Sequence, residues 1–115
     1  MITLKVDEAY AFDYLSILEV KKENLSKQKE ADQSYLDCLG HLESQVGQSK
    51  LSLILSSPEY QSLKFSNGRV FDGVEKARYG NISARDLDIL NMDRFLKKKD
   101  IQRKFFKEEI TELKS

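Results

Sequence analysis

Residues 9–20 read AYAFDYLSILEV, and this stretch decides the fold. Ala9, Tyr10, Ala11, Phe12, Tyr14, Leu15, Ile17, Leu18 and Val20 wind around a helix and leave a narrow polar stripe through Asp13 and Ser16. A helix apolar around most of its girth belongs near the middle of a bundle. Asp7 suits its N-cap, and Glu8 in the first turn faces the positive end of the helix dipole. The apolar pattern runs to Leu25. Ahead of it, Thr3–Val6 alternates polar and apolar, which leaves room for a short N-terminal β-strand at an edge.

Downstream, SKQKEADQ at 26–33 is polar and continues the helix into solvent or forms a loop. Tyr35, Leu36, Leu39, Leu42 and Val46 then return at helical spacing. Gly40 and Gly47 each weaken that helix by about 1 kcal/mol relative to Ala. Leu51, Leu53, Ile54 and Leu55 prolong it or make a buried turn. Ser57-Pro58-Glu59 is a helix start: Ser caps, Pro fits the first turn, and Glu meets the dipole. Ser66-Asn67-Gly68 predicts a turn. After it, Val70, Phe71, Val74 and Ala77 predict a short helix closed by Gly80. Ser83-Ala84-Arg85-Asp86 opens a last helix that the pattern carries to about Leu113. There is no internal repeat. The expected fold is all-α, a small antiparallel helical bundle forming a single domain over residues 1–115.

Of the 115 residues, 33% are charged and 40% apolar, a balance that supports one core and argues against general disorder. The uncharged run Leu51–Pro58 is far too short to span a bilayer, so no membrane role is expected. The opening MITLKVDEAY reads as mature protein and not as a signal peptide. One cysteine, Cys38, leaves no internal disulfide framework. These features together predict a cytoplasmic protein.

The net charge is zero but unevenly spread. Residues 1–46 hold five Lys against nine Asp or Glu, whereas residues 93–107 hold seven Lys or Arg against two Asp. In one small domain such asymmetry reads first as two halves that attract each other. On a helical wheel of residues 87–113, Leu87, Leu90, Met92, Phe95, Leu96, Ile101, Phe105, Phe106, Ile110 and Leu113 fill a wide arc. Lys97, Arg103, Lys104 and Lys107 lie opposite and are the candidates for nucleic-acid contact, but Asp93 and Asp100 interrupt them and would repel phosphates. A solvated face is therefore the favoured reading.

Arg94 and Lys98 fall inside the apolar arc, and Asn91 shares their face at i, i+3, i+7 spacing. A long cation there must snorkel out, meet a carboxylate or hold an anionic ligand. Asp13 and Glu19 break the apolar surface of the first helix, and Asp13 is the expected partner of Arg94 or Lys98. Asp13, Asn91, Arg94 and Lys98 are thus the candidate ligand-binding residues, with a structural salt bridge as the favoured alternative.

Catalytic and metal chemistry find little footing. His41 is the single histidine and Cys38 the single thiol, so no zinc set forms from them. Both lie in DCLGHL at 37–42, three residues apart, but an amphipathic helix commonly carries a small core Cys and a surface His there. No Gly-rich phosphate loop is present. No catalytic residue, metal or cofactor is assigned.

The chain resembles a family of small, uncharacterised, mainly helical bacterial and phage proteins. The resemblance rests on an early Asp (Asp13) followed by Ile17-Leu18-Glu19-Val20-Lys21. It continues with a late helix carrying Asn91, Arg94, Lys98 and Ile101, and with Glu112-Leu113-Lys114-Ser115. Tyr14 stands where the family has Lys, Met92 where it has Asp, and the Trp-bearing middle segment lacks its Trp. The resemblance implies a helical fold and singles out the polar residues already found on the wheel; it implies no activity.

The leading expectation for function is a non-enzymatic helical protein that works by protein–protein interaction or oligomerisation. The apolar arcs of the first and last helices exceed what a chain of this size easily buries. The alternative is a protein that binds an anion, a phosphate or sugar nucleotide, through Asn91, Arg94 and Lys98. A nucleic-acid accessory role is the third.

Overall fold

The protein is seen in a computed structural model that describes residues 2, 5–24 and 29–107, and every regular element within them is a helix. These are α1 (Glu8–Asn24), α2 (Lys29–Val46), α3 (Gln48–Leu55), α4 (Pro58–Arg78) and α5 (Ala84–Phe106). No strand occurs among the described residues; of the predicted edge strand, Thr3 and Leu4 lie outside them and Lys5 and Val6 are irregular.

The helix ends follow local chemistry. The Ser57 hydroxyl accepts the Tyr60 N–H at 3.2 Å with Pro58 in the first turn, and the Ser83 hydroxyl accepts the Asp86 N–H at 3.1 Å. Gly47 at φ 87° separates α2 from α3, a break that the sequence reading left open. Gly80 at φ 73° closes α4 and lets the Asn81 N–H reach the Lys76 carbonyl at 2.8 Å. At the other end of the chain α5 stops at Phe106, because Lys107 turns into the left-handed region at φ 54°. The predicted helix to Leu113 is thereby cut short, and residues 108–113 lie outside the described part. Residues 29–33 of the polar stretch belong to α2.

One predicted break is absent. Ser66, Asn67 and Gly68 sit inside α4, not in a turn, and Ser66 and Asn67 are buried. Such residues favour turns when their side chains bond the local backbone. Here the Ser66 hydroxyl is spent on Asp93 at 2.6 Å, and the Asn67 amide on Asp13 and Ser16, so the helix runs through.

α4 and α5 form an antiparallel hairpin: Ser66 meets Asp93, and a Cβ on Gly73 would meet Leu90 and Leu87. That glycine lets α5 approach closely. α1 packs on α2, α4 and α5. Its register falls along both hairpin helices, with Asp13 at Asn67 and Glu19 at Tyr60 on α4, and Ala9 at Gln102 and Asp13 at Arg94 on α5. Three mutually antiparallel rods cannot exist, so α1 lies inclined across the hairpin. The core gathers Ala9, Phe12 and Leu15 with Leu42, Leu51, Ile54, Tyr60, Leu63 and Ile101, and Phe106 packs on Phe12 with ring centroids 6.1 Å apart. The central position predicted for the first helix is the one observed. Its polar stripe, however, faces inward: Asp13 and Ser16 are buried, while Tyr14 faces solvent.

Candidate functional site

The inward stripe of α1 carries the most organised polar chemistry in the molecule. Asp13 and Ser16 are three residues apart and so share a face, and Arg94 and Lys98 share one on α5 at i, i+4. The Asp13 carboxylate receives a side-on fork from Arg94, with Nε to Oδ1 at 3.1 Å and Nη2 to Oδ2 at 2.6 Å. The Lys98 ammonium lies 3.3 Å from Oδ2 and 4.3 Å from the centre of the Tyr10 ring. Asn67 of α4 donates to Oδ1 at 2.9 Å and to the Ser16 hydroxyl at 2.6 Å, while that hydroxyl donates to the Asp13 carbonyl at 2.8 Å. One carboxylate thus joins three helices.

Burial alone would push the Asp13 carboxyl up. The hydrogen bonds from Arg94 and Asn67 and the charges of Lys98 and Arg94 outweigh it and hold the group below its ordinary value of 3.8. Asp13 is therefore a permanent anion at neutral pH, unsuited to giving or taking protons. Two cations meet one anion, so the cluster keeps a formal charge of +1.

The expected pairing of Asp13 with Arg94 or Lys98 is present with both cations at once. Asn91 does not join them: it is exposed, and its amide donates to the Leu87 carbonyl of its own helix at 3.2 Å. Sharing a helical face was too coarse a criterion, because Asn91 lies a turn beyond the reach of α1. Sequence reasoning missed Asn67 and Ser16, the first because it was read as part of a turn. Their signal was the polar stripe itself, which needed partners once α1 was placed at the centre.

A second network lies further along α1. Glu19 accepts the Tyr60 hydroxyl at 2.9 Å and pairs with Lys64 at 2.8 Å, and Lys64 also reaches Glu23 at 2.6 Å. Burial first, and then the Glu19 charge, push the Tyr60 hydroxyl far above its usual range. Near the start of α1, buried Gln102 of α5 accepts the Ala9 N–H at 2.8 Å and donates to Glu8 at 3.3 Å. It caps the helix from across the bundle, serving an N–H with no partner inside α1.

The four basic candidates are dispersed. Lys104 is bound to Glu59, Lys97 sits beside Asp93 and Arg69 at a surface cleft, and Arg103 and Lys107 are exposed near the end of α5. Cys38 and His41 line a cleft of about 330 Å³ with Tyr14, Ser34 and Asp37, and burial pushes the Cys38 thiol up, away from thiolate. Among the described residues no group of three His, Cys, Asp or Glu side chains could hold a metal ion. No described helix is long and apolar enough to cross a membrane.

The wide apolar arc of α5 is only partly used. Its buried face is Lys98, Ile101 and Gln102, and Ile89, Met92, Phe95 and Leu96 are 57%, 59%, 39% and 49% exposed. The rotation follows from the polar cluster: turning Arg94 and Lys98 toward Asp13 carries the Met92 and Leu96 edge outward. Comparison of the chain with family models, with curated proteins and with solved structures finds no match.

Proposed function

We propose that this is a non-enzymatic helical protein that works by contact with a partner chain, a second copy or another protein. The contact surface is the outer ridge of α5. The observation that carries the reading is the exposure of Ile89, Met92 and Leu96 at i, i+3, i+7, widened by Phe95. A row of large apolar side chains at this spacing is the pattern that helix-on-helix recognition buries. α1, the other expected source of surplus apolar surface, is mostly covered within the bundle, with Tyr14 its one large apolar side chain among the described residues to stand more than half exposed. The Asp13 cluster supports the same reading indirectly, since its carboxylate is spent in holding three helices together.

The anion reading in its first form, a grip by Asn91, Arg94 and Lys98, loses support from the exposure of Asn91 and from the burial of Lys98 between Asp13 and the Tyr10 ring. The nucleic-acid reading is weakened by the pairing of Lys104 with Glu59 and by Asp93 beside Lys97. A cytoplasmic setting, from the single cysteine, belongs to this proposal. So does kinship with the bacterial and phage family, of whose motif residues Asp13, Arg94 and Lys98 meet in one cluster while Asn91 lies outside it.

Light scattering across a concentration series tests the reading. Wild type is expected to self-associate and Met92→Asp/Leu96→Asp to remain monomeric with an unchanged helical spectrum. If wild type is a monomer throughout, a photo-crosslinker at Met92 asks for a different partner in cells. Crosslinks no more frequent there than at exposed Lys76 would end the proposal.

A further inference from the structure

A cleft of about 300 Å³ opens where α1, α4 and α5 meet, on the outer side of the Asp13 cluster. Its apolar wall is Ile17 from α1 and Val70, Phe71 and Val74 from α4, with Asn67 beside them. Arg94 reaches it from α5, and Arg78 and Glu75 stand at the α4 end. We infer that this cleft is a binding site for a small carboxylate with an apolar body, its head group held by Arg94 and Arg78.

The chemistry of the two guanidiniums leads to that class. Arg94 spends Nε and Nη2 on Asp13, which leaves Nη1 without a protein hydrogen bond among the described residues, and its side chain keeps 26% exposure. An arginine fixed on one edge by a carboxylate is pre-oriented, so its other edge can receive an anion with little loss of rotamer freedom. Among the described residues Arg78 makes one ion pair, an exposed 3.6 Å contact with Glu75 that constrains it weakly, and it lines the same cleft. The charged residues that line the cleft are Arg78 and Arg94 against Glu75, a net charge of +1, which matches a monoanion.

Volume and lining narrow the class further. The space lies at the small end of the ~300–1,000 Å³ typical of ligand pockets, too little for a sugar nucleotide. Inorganic phosphate or acetate would satisfy the arginines but leave Val74, already 44% exposed, and its neighbours uncovered. An uncharged apolar ligand would cover the walls and leave the Arg94 edge unbonded. A short aliphatic or aromatic carboxylate does both. The cleft shares no lining residue with the ridge of Ile89, Met92, Phe95 and Leu96, so this inference and the interaction reading stand or fall separately.

The test is an NMR titration of the isotope-labelled protein with hexanoate, acetate and hexan-1-ol at neutral pH, following the methyl groups of Ile17, Val70 and Val74. Hexanoate is expected to shift them saturably, with a dissociation constant below about 10 mM. Acetate and hexanol should each bind at least about tenfold more weakly, a factor equal to ~1.4 kcal/mol. Arg78→Ala should weaken hexanoate several-fold. Val74→Glu, at an exposed position, should abolish it while the amide spectrum elsewhere stays folded. Absence of a saturable shift, hexanol equal to hexanoate, or shifts unaffected by Val74→Glu would overturn the assignment.

Discussion

Replacing Asp13 with Ala removes the carboxylate that pairs with two cations and accepts from Asn67. The consequences differ among its partners. Arg94 keeps 26% of its side chain exposed and can swing into solvent, whereas Lys98 keeps 10% and loses the one anion within salt-bridge distance of it among the described residues. Removing one partner of a buried ion pair costs about 3–5 kcal/mol, and the escape of Arg94 places this case near the lower figure. With an unfolding entropy of about 2.1 cal/mol/K per residue over 115 residues, ~3 kcal/mol lowers Tm by roughly 12 °C. Differential scanning calorimetry at neutral pH reads this directly. A second substitution isolates the cause: Lys98→Met in the Asp13→Ala background removes the stranded charge and should recover part of the loss. A fall of less than about 3 °C in the single variant, or no recovery in the double, would refute the account of Asp13 as the joint of three helices.

The same joint predicts an acid limb. Because the folded Asp13 carboxyl titrates below its ordinary 3.8, its contribution is present above that pH and is lost as pH falls through the depressed folded value, so the stability gap between wild type and Asp13→Asn should narrow only in strong acid. A gap that closes near neutrality would contradict it. Tyr60 gives the opposite limb: its raised hydroxyl stays protonated in the fold while the unfolded chain ionises near 10.0, so stability should drop above that pH, and less steeply in Tyr60→Phe. Urea titrations at pH 9 and 11 compare the two. Gln102→Ala leaves the Ala9 N–H buried without its acceptor and should cost roughly 2 kcal/mol by urea denaturation, where a loss under ~0.5 kcal/mol would deny the cross-bundle cap.

Much of this architecture was legible one segment at a time. Ser57-Pro58 and Ser83 stop and start helices by bonds within four residues of themselves, and Gly80 closes α4 through its own backbone freedom, so each could be read locally. The pairing of Asp13 with Arg94 and Lys98 was legible for a different reason. A charge on an apolar face of one helix requires an opposite charge on another, and few candidates were available.

Where the reading failed, a distant partner had changed the meaning of a local signal. Ser66-Asn67-Gly68 carries turn chemistry in isolation, yet Asp93, Asp13 and Ser16 take up the side chains and the helix persists. Asn91 sits on the same face as Arg94 and was misplaced because α1, inclined across the hairpin, passes Arg94 and Lys98 but not the preceding turn. The wide apolar arc of α5 set no boundary between core and surface, and the rotation imposed by the Asp13 joint left Met92 and Leu96 outside.

The sequence by itself determined that the chain is helical, where most helices begin and end, that α1 is central, and that Asp13 needs a cation. Those properties follow from periodicity and capping, which act within a few residues, and from the cost of an unpaired charge, which demands a partner without placing it. The inclination of α1, the inward turn of its polar stripe, the cap that Gln102 lends to Ala9 and the cleft beside Arg94 were decided only by the tertiary structure. Each depends on how three helices share one carboxylate, a geometry that no single segment contains.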